Sequence, residues 1–254
     1  MAITEVFPNP TVKQVIFQIR YPNLFYIEKH IGDVQLKIMK EFPNSSMALK
    51  RQVMITNINP GQTLDKALAE IPGEGTQKIW QFRSDKGVEL NILPDSLDLS
   101  STSHKTYSKP NSPTRFRDVI KMVLDAFFSV TKVPLIKRVG LRYVDECPFP
   151  AKNNLEFQKY FNSSFPLSRF KLEDCREMMF VTTVKRGEHF VRYVESLGKS
   201  GDKDILIMDF DGFAENINAD RCLEVADLLH ESISNEFEAT IKQPVIDMMR
   251  GNAS

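Results

Sequence analysis

At 254 residues the chain can bury one substantial core or two small ones, and its 42% hydrophobic and 26% charged residues are ordinary for a globular protein. The 33 Lys plus Arg balance the 33 Asp plus Glu, so no global field draws the chain to long nucleic acid or an anionic membrane. Three cysteines lack C-x-x-C spacing, the first residues form no basic-then-apolar leader, and no apolar run approaches the ~18–20 residues that span a bilayer; the expectation is a cytoplasmic protein, not a membrane one, with reduced thiols.

Val12 to Arg20 reads as a strand ended by Tyr21-Pro22-Asn23. Leu24, Ile27, Ile31, Val34, Ile38 and Phe42 then step by three or four, the spacing of one apolar helix stripe, which Pro43-Asn44 closes. A strand is expected around Gln52 to Thr56. Residues 57–76, interrupted by Pro60-Gly61, Pro72-Gly73 and Gly75, read as a long loop with a helical turn at Leu64 to Ile71 and as a candidate docking element. Lys78 to Ser84, the Asp85-Lys86-Gly87 turn, Val88 to Leu93 and Leu97 to Ser101 form a meander. A polar connection runs to Pro113. Thr114 then caps a helix whose apolar face includes Phe116, Ile120, Val123 and Phe127, and Pro134 marks its end.

The second half begins with a strand from Ile136 to Glu146 that echoes the first: Lys137-Arg138-Val139-Gly140-Leu141-Arg142-Tyr143-Val144 answers Lys13-Gln14-Val15-Ile16-Phe17-Gln18-Ile19-Arg20. A short helix at Leu155 to Phe161 follows, then strands at Glu177 to Lys185, His189 to Leu197 and Ile205 to Phe210. The spacing of Leu223, Ala226, Leu229, Ile233, Phe237 and Ile241 predicts a long final helix with Asn218 or Asp220 as its cap, running to Pro244 or just past it; Arg250 to Ser254 reads as a frayed tail. The order of elements predicts an α+β protein. Two tandem pseudo-symmetric β-α-β-β-β-α halves, residues 1–134 and 135–254, form one curved, mostly antiparallel sheet with helices on one face.

A period of two sorts the strand residues by face. Val15, Phe17 and Ile19 share the apolar face with Val139, Leu141 and Tyr143, and Trp80 and Phe82 fall there too. The opposite face collects Gln81, Glu89 and Asn91 together with Gln18, Arg20, Arg83, Arg138, Arg142 and Arg192. The last six are the candidate ligand-binding set, because a guanidinium presents a planar fork to phosphate or carboxylate. The competing reading is that Arg and Glu decorate any solvated sheet and pair across strands. Asp209 and Asp211, at i and i+2, point the same way and are the candidate metal pair. Mg or Mn would serve phosphoryl chemistry there; without that pair no cofactor is expected. The competing reading is an acidic strand end facing water.

Gly198-Lys199-Ser200 is not a phosphate-binding loop, since Tyr193 stands where a glycine is required. His30, His104, His189 and His230 fall on a helix, a loop, a strand and a helix, with no i, i+4 pair, so neither a zinc motif nor a triad is legible. Cys222, near a helix N-terminus, is either a lowered-pKa thiol or a structural one.

Asn9-Pro10 with Val12 to Arg20 is similar to the opening NPP-VKEVIFEIRF, and Arg138 to Val144 is close to RIGLRYIN. Glu41-Phe42-Pro43 and Asn235-Glu236-Phe237-Glu238 complete the match. Along nearly its whole length the chain thus resembles a sporadically distributed family of uncharacterised prokaryotic proteins, departing from it at Asp145, where that family usually has Asn. The resemblance implies no activity and no catalytic residue. The family's patchy distribution is similar to that of mobile-element, toxin–antitoxin and defence-associated proteins, a setting implied by analogy alone. The expected function is therefore a non-enzymatic binding protein holding an anionic small molecule or a protein partner on the open sheet face or in the central groove. The alternative is a metal-dependent phosphoryl or nucleotide enzyme using Asp209 and Asp211. Either leaves room for a homodimer.

Overall fold

A computed structural model describes residues 5–51, 76–104, 106–109 and 115–251. Nine strands pair into one open sheet in which every neighbour is antiparallel: β1 (Val12–Arg20), β2 (Asn44–Arg51), β3 (Thr76–Arg83), β4 (Val88–Ile92), β5 (Ser96–Ser101), β6 (Leu135–Pro148), β7 (Met179–Arg186), β8 (His189–Ser200) and β9 (Lys203–Asn218). Their order is β2-β3-β4-β5-β1-β6-β9-β8-β7. Among the described residues five helices accompany them: α1 (Ile27–Ile38), α2 (Phe116–Val130), α3 (Asn154–Tyr160), α4 (Cys222–Thr240) and α5 (Gln243–Arg250). No helix among the described residues is long and apolar enough to cross a membrane.

Alternation makes these strands and sets their register. Val15, Phe17 and Ile19 of β1 are buried, as are Val139 and Leu141 of β6 and Leu206, Met208 and Phe210 of β9. Each such side chain contributes about 1.5–3 kcal/mol when withdrawn from water. A one-residue slip would turn the whole row outward, so the buried row fixes the pairing. At the centre of the sheet Phe17 lies directly opposite Leu141.

The helix α4 buries Val225, Ala226, Leu229 and Ile233 and packs on β6, β9 and β8. Gly212 of β9 allows that close approach, because a Cβ there would stand 3.2 Å from Ile233 Cδ1 and 3.3 Å from Leu229 Cδ2. α1 packs on α2, and the Phe127 ring of α2 meets Tyr21, just past β1, at 5.2 Å. Arg117 of α2 forms a two-pronged ion pair with Asp227 of α4, both contacts at 2.7 Å.

Several boundaries differ from expectation. β2 occupies Asn44–Arg51, directly after Pro43, a stretch for which no strand is expected from the sequence; a proline ahead of a strand loses no ladder bond. α1 stops at Ile38, and Phe42 keeps the stripe's spacing because it is buried just beyond the helix. β9 continues through Asn218 instead of ending at Phe210, since Gly212 and Ala214, weak strand formers, are covered by tertiary packing. A 3-10 turn, Ala219–Arg221, precedes α4, and neither Asn218 nor Asp220 caps it through a side chain. α4 ends at Thr240 and Ile241 bridges to Phe161, so Pro244 does not lie in that helix. It opens α5, where a first-turn proline is tolerated, and Arg250 belongs to that helix rather than to a tail. The strand expected at 52–56, the loop expected at 57–76 apart from Thr76, which opens β3, the Thr114 cap and residues 252–254 lie outside the described residues.

Candidate functional site

The register places all six candidate binding residues on one face. Arg20 stands opposite Arg138, Gln18 opposite Gly140, Arg142 opposite Asp211, Asp211 opposite Arg192, and Arg83 opposite Glu89. The same face carries Asp209 and Asp211, so the two sets the sequence separates are brought together as each other's partners. Arg142 donates from Nε and Nη2 to the two oxygens of Asp209, each at 2.7 Å, and these bonds push its pKa up. Arg138 donates from Nη2 to both oxygens of Asp211, at 2.8 and 2.9 Å.

Gly140 makes the second pair reachable. The Arg138 guanidinium lies over it, where any Cβ would collide, and covers the Phe213 ring at 4.9 Å. Gln18 ties the first half in: its Oε1 accepts from Arg20 Nε at 2.9 Å and Arg138 Nη1 at 3.2 Å, and its Nε2 donates to Asp98. Arg83 pairs with Glu89 at 3.4 Å. The guanidinium groups of the candidate platform are therefore largely paired, and all four oxygens of Asp209 and Asp211 accept from arginine. Arg192 is the exception, making no hydrogen bond or ion pair with a described residue. Among the described residues no three His, Cys, Asp or Glu gather in a way that could hold a metal ion.

The apolar face carries a second feature. A cleft of about 450 Å³ opens between the segment before β1, residues 104 and 106–109, β6 and α4, and a recess of about 160 Å³ adjoins it, sharing Tyr143, His230 and Ser234. Tyr143 and Asp145 reach it because they have the parity of Val139 and Leu141. His230 and Ser234 stand one turn apart on α4, beside buried Leu229 and Ile233. Tyr107 is held by α2, whose Arg117 N–H donates to the Tyr107 carbonyl at 3.0 Å.

A chain of contacts fixes the walls. Asp227, gripped by Arg117, accepts from the Tyr107 hydroxyl at 3.0 Å; the Tyr107 ring stacks on His230 at 4.1 Å; and His230 Nδ1 meets the Tyr143 hydroxyl at 3.1 Å. Burial lowers the pKa of His230 to about 4, so the imidazole is neutral at neutral pH, and burial lowers that of His104 as well. Burial pushes the Tyr107 and Tyr143 phenols up, so both keep their protons. Asp145, in the recess, is raised to about 7 by burial against a 2.8 Å hydrogen bond from Thr11 that favours the charged form.

Sequence spacing missed this site because His104 and His230 come to line one cleft only in the fold. Two signals were present: a carboxylate at an apolar-face position, Asp145, and a polar i, i+4 pair, His230 and Ser234, flanking the apolar stripe of α4. His30 and His189 lie elsewhere, beside Asp33 and Ser232. Cys222 is buried, and burial together with the nearby Asp220 carboxylate pushes its thiol up to about 12, the structural rather than the lowered-pKa reading. Trp80 lies in the core. No protein-family model, curated protein or solved structure matches the chain, so its function rests on the chemistry of these two faces.

Proposed function

We propose that this chain is a non-enzymatic binding protein that holds a small molecule in the cleft between Tyr107, Tyr143 and α4. One observation carries the reading: Arg117, Asp227, Tyr107, His230 and Tyr143 form a continuous contact chain that fixes an aromatic wall around about 450 Å³, within the size range of small-molecule sites. Preorganised walls of this kind reduce the ordering cost of binding. The metal-dependent alternative is disfavoured, since a cation at Asp209 and Asp211 would have to displace Arg142 from both oxygens of Asp209 and Arg138 Nη2 from both oxygens of Asp211.

We also read the two halves as tandem copies of one unit with helices on one side of the sheet. Support comes from the strand order, which runs outward from the β1–β6 pair as β5, β4, β3 on one side and β9, β8, β7 on the other, with β2 as an extra edge. The echoed residues Phe17 and Leu141 face each other, so exchanging the copies maps Val15 opposite Tyr143 onto Val139 opposite Ile19. The cleft then lies beside the strands where the two copies meet.

Native mass spectrometry of gently purified protein tests the binding reading. We expect a bound small molecule in the wild type that is lost in Ser234→Trp, which fills the cleft, with the melting temperature little changed. A bound mass that survives Ser234→Trp but disappears in Arg20→Ala with Arg192→Ala would move the ligand to the open face, the reading favoured by Arg192, which has no hydrogen bond or ion pair among the described residues. No bound species in any variant would count against both.

A further inference from the structure

We propose that the cleft recognises a monoanionic aromatic carboxylate, its oxygens accepting hydrogen bonds from His230, Ser234 and Lys109 and its ring lying against the aromatic wall that includes Tyr107 and Phe116. This rests on the cleft-binding reading above and follows from locating protons. The Tyr143 phenol keeps its proton, and its one hydrogen-bond partner among the described residues is His230 Nδ1 at 3.1 Å. A buried hydroxyl without an acceptor is costly, so Tyr143 donates and Nδ1 accepts. A neutral imidazole carries one N–H, which therefore sits on Nε2. That nitrogen has no partner among the described residues and is not among the buried unsatisfied atoms, so it is an accessible donor on a residue lining the cleft.

The same bookkeeping applies to His104. Ser101 Oγ accepts the backbone N–H groups of Ser103 and His104, both at 3.2 Å, and the Ser103 hydroxyl is committed to the Lys86 carbonyl. The Ser101 hydrogen then goes to His104 Nδ1 at 2.7 Å, leaving the His104 proton on Nε2 as well. Ser234 Oγ has no partner among the described residues, and Lys109 Nζ makes no hydrogen bond or ion pair with one; its charge acts on Glu5, whose carboxylate Arg250 holds at 2.7 Å, and Asp227 is taken by Arg117. Among the described residues the lining thus offers two imidazole N–H donors, a hydroxyl and one cation, Lys109, that no carboxylate holds in an ion pair. One cation with several neutral donors matches a carboxylate, with one charge and two oxygens; a phosphate dianion would bring a second charge with no second unpaired cation among the lining residues. The walls beside the donors are aromatic: Tyr107, Phe116 and Tyr143.

Isothermal titration of the full chain with benzoate and indole-3-acetate, against benzyl alcohol, benzylamine and phenyl phosphate, tests this. We expect at least one carboxylate to bind tenfold or more tightly than its uncharged, cationic and phosphate counterparts. Lys109→Met and Ser234→Ala, both at accessible polar groups, should each weaken it by about three- to tenfold at unchanged melting temperature, and Arg192→Ala should leave it unaltered. Failure of both carboxylates to bind, or benzyl alcohol binding as tightly as benzoate, overturns the inference. A neutral molecule that co-purifies and is lost in Ser234→Trp sinks the carboxylate inference and leaves the cleft reading standing. Carboxylate binding undiminished in Ser234→Trp sinks the cleft reading itself.

Discussion

Asp145 shares the parity of Val139, Leu141 and Tyr143, so the sheet's own alternation turns its carboxylate toward the core, where it is 5% exposed. Glu195, fully buried on the same side, accepts from the Ser163 hydroxyl and from the Ser164 N–H. Asp145 has one short donor, Thr11, and burial raises its pKa from 3.8 to about 7. The folded chain therefore holds a proton that the unfolded chain releases near pH 4. Stability from this group is fully present below about 4 and is lost as pH rises toward 7, amounting to a cost on the order of 2–4 kcal/mol at pH 8. Asp145→Asn keeps the Thr11 hydrogen bond and removes the ionisation. Urea denaturation should show it more stable than wild type at pH 8 by about that amount, with little difference at about pH 3, below the unfolded pKa; an equal offset at both pH values would point to packing instead. The position of Asp145 was legible from parity, as was the clustering of arginines on the other face. The Arg138–Asp211 pair was not, because its members are 73 residues apart and the β6–β9 register depends on which strands become neighbours.

Among the elements, the long periodic helices and alternating strands could be read directly, since α2, α4 and β3 to β5 each repeat one pattern over several turns or pleats. Elements whose ends depend on tertiary cover could not. β9 runs eight residues past Phe210 because α4 lies over Gly212 and Ala214; propensity alone stops the strand at the glycine. The cleft shares this origin, since it depends on how far α4 stands from β6. Gly212 is thus a spacer as well as a strand residue. Gly212→Val should push Leu229 and Ile233 off the sheet, destabilising the fold by about 1–3 kcal/mol. Its denaturant midpoint should fall accordingly, whereas Gly187→Ala, with nothing near its Cβ, should cost less and only through its positive φ.

For the whole molecule, the question is whether residues 1–134 and 135–254 are separable. β1 lies between β5 and β6, and β6 between β1 and β9, so the seam between the halves is the middle of the sheet rather than a linker. Its register pairs Val15 through Arg20 with Tyr143 through Arg138 without a break, and the buried rows of both strands feed one core. α2 of the first half is also clamped to α4 of the second through Arg117 and Asp227. Cutting at residue 134 would leave β1 as an unpaired edge carrying Val15, Phe17 and Ile19, a hazard for aggregation. The halves should therefore unfold together. Trp80, the chain's single tryptophan, is buried on β3 and reports the first half alone, whereas far-ultraviolet circular dichroism reports both. Urea curves from the two probes should coincide in midpoint and slope. If Trp80 fluorescence changed at a denaturant concentration where a second dichroism step remained, the halves would be independent domains despite sharing a sheet. A cleft beside their seam would then be expected to open with the first transition, which loss of cleft ligand at that step would reveal.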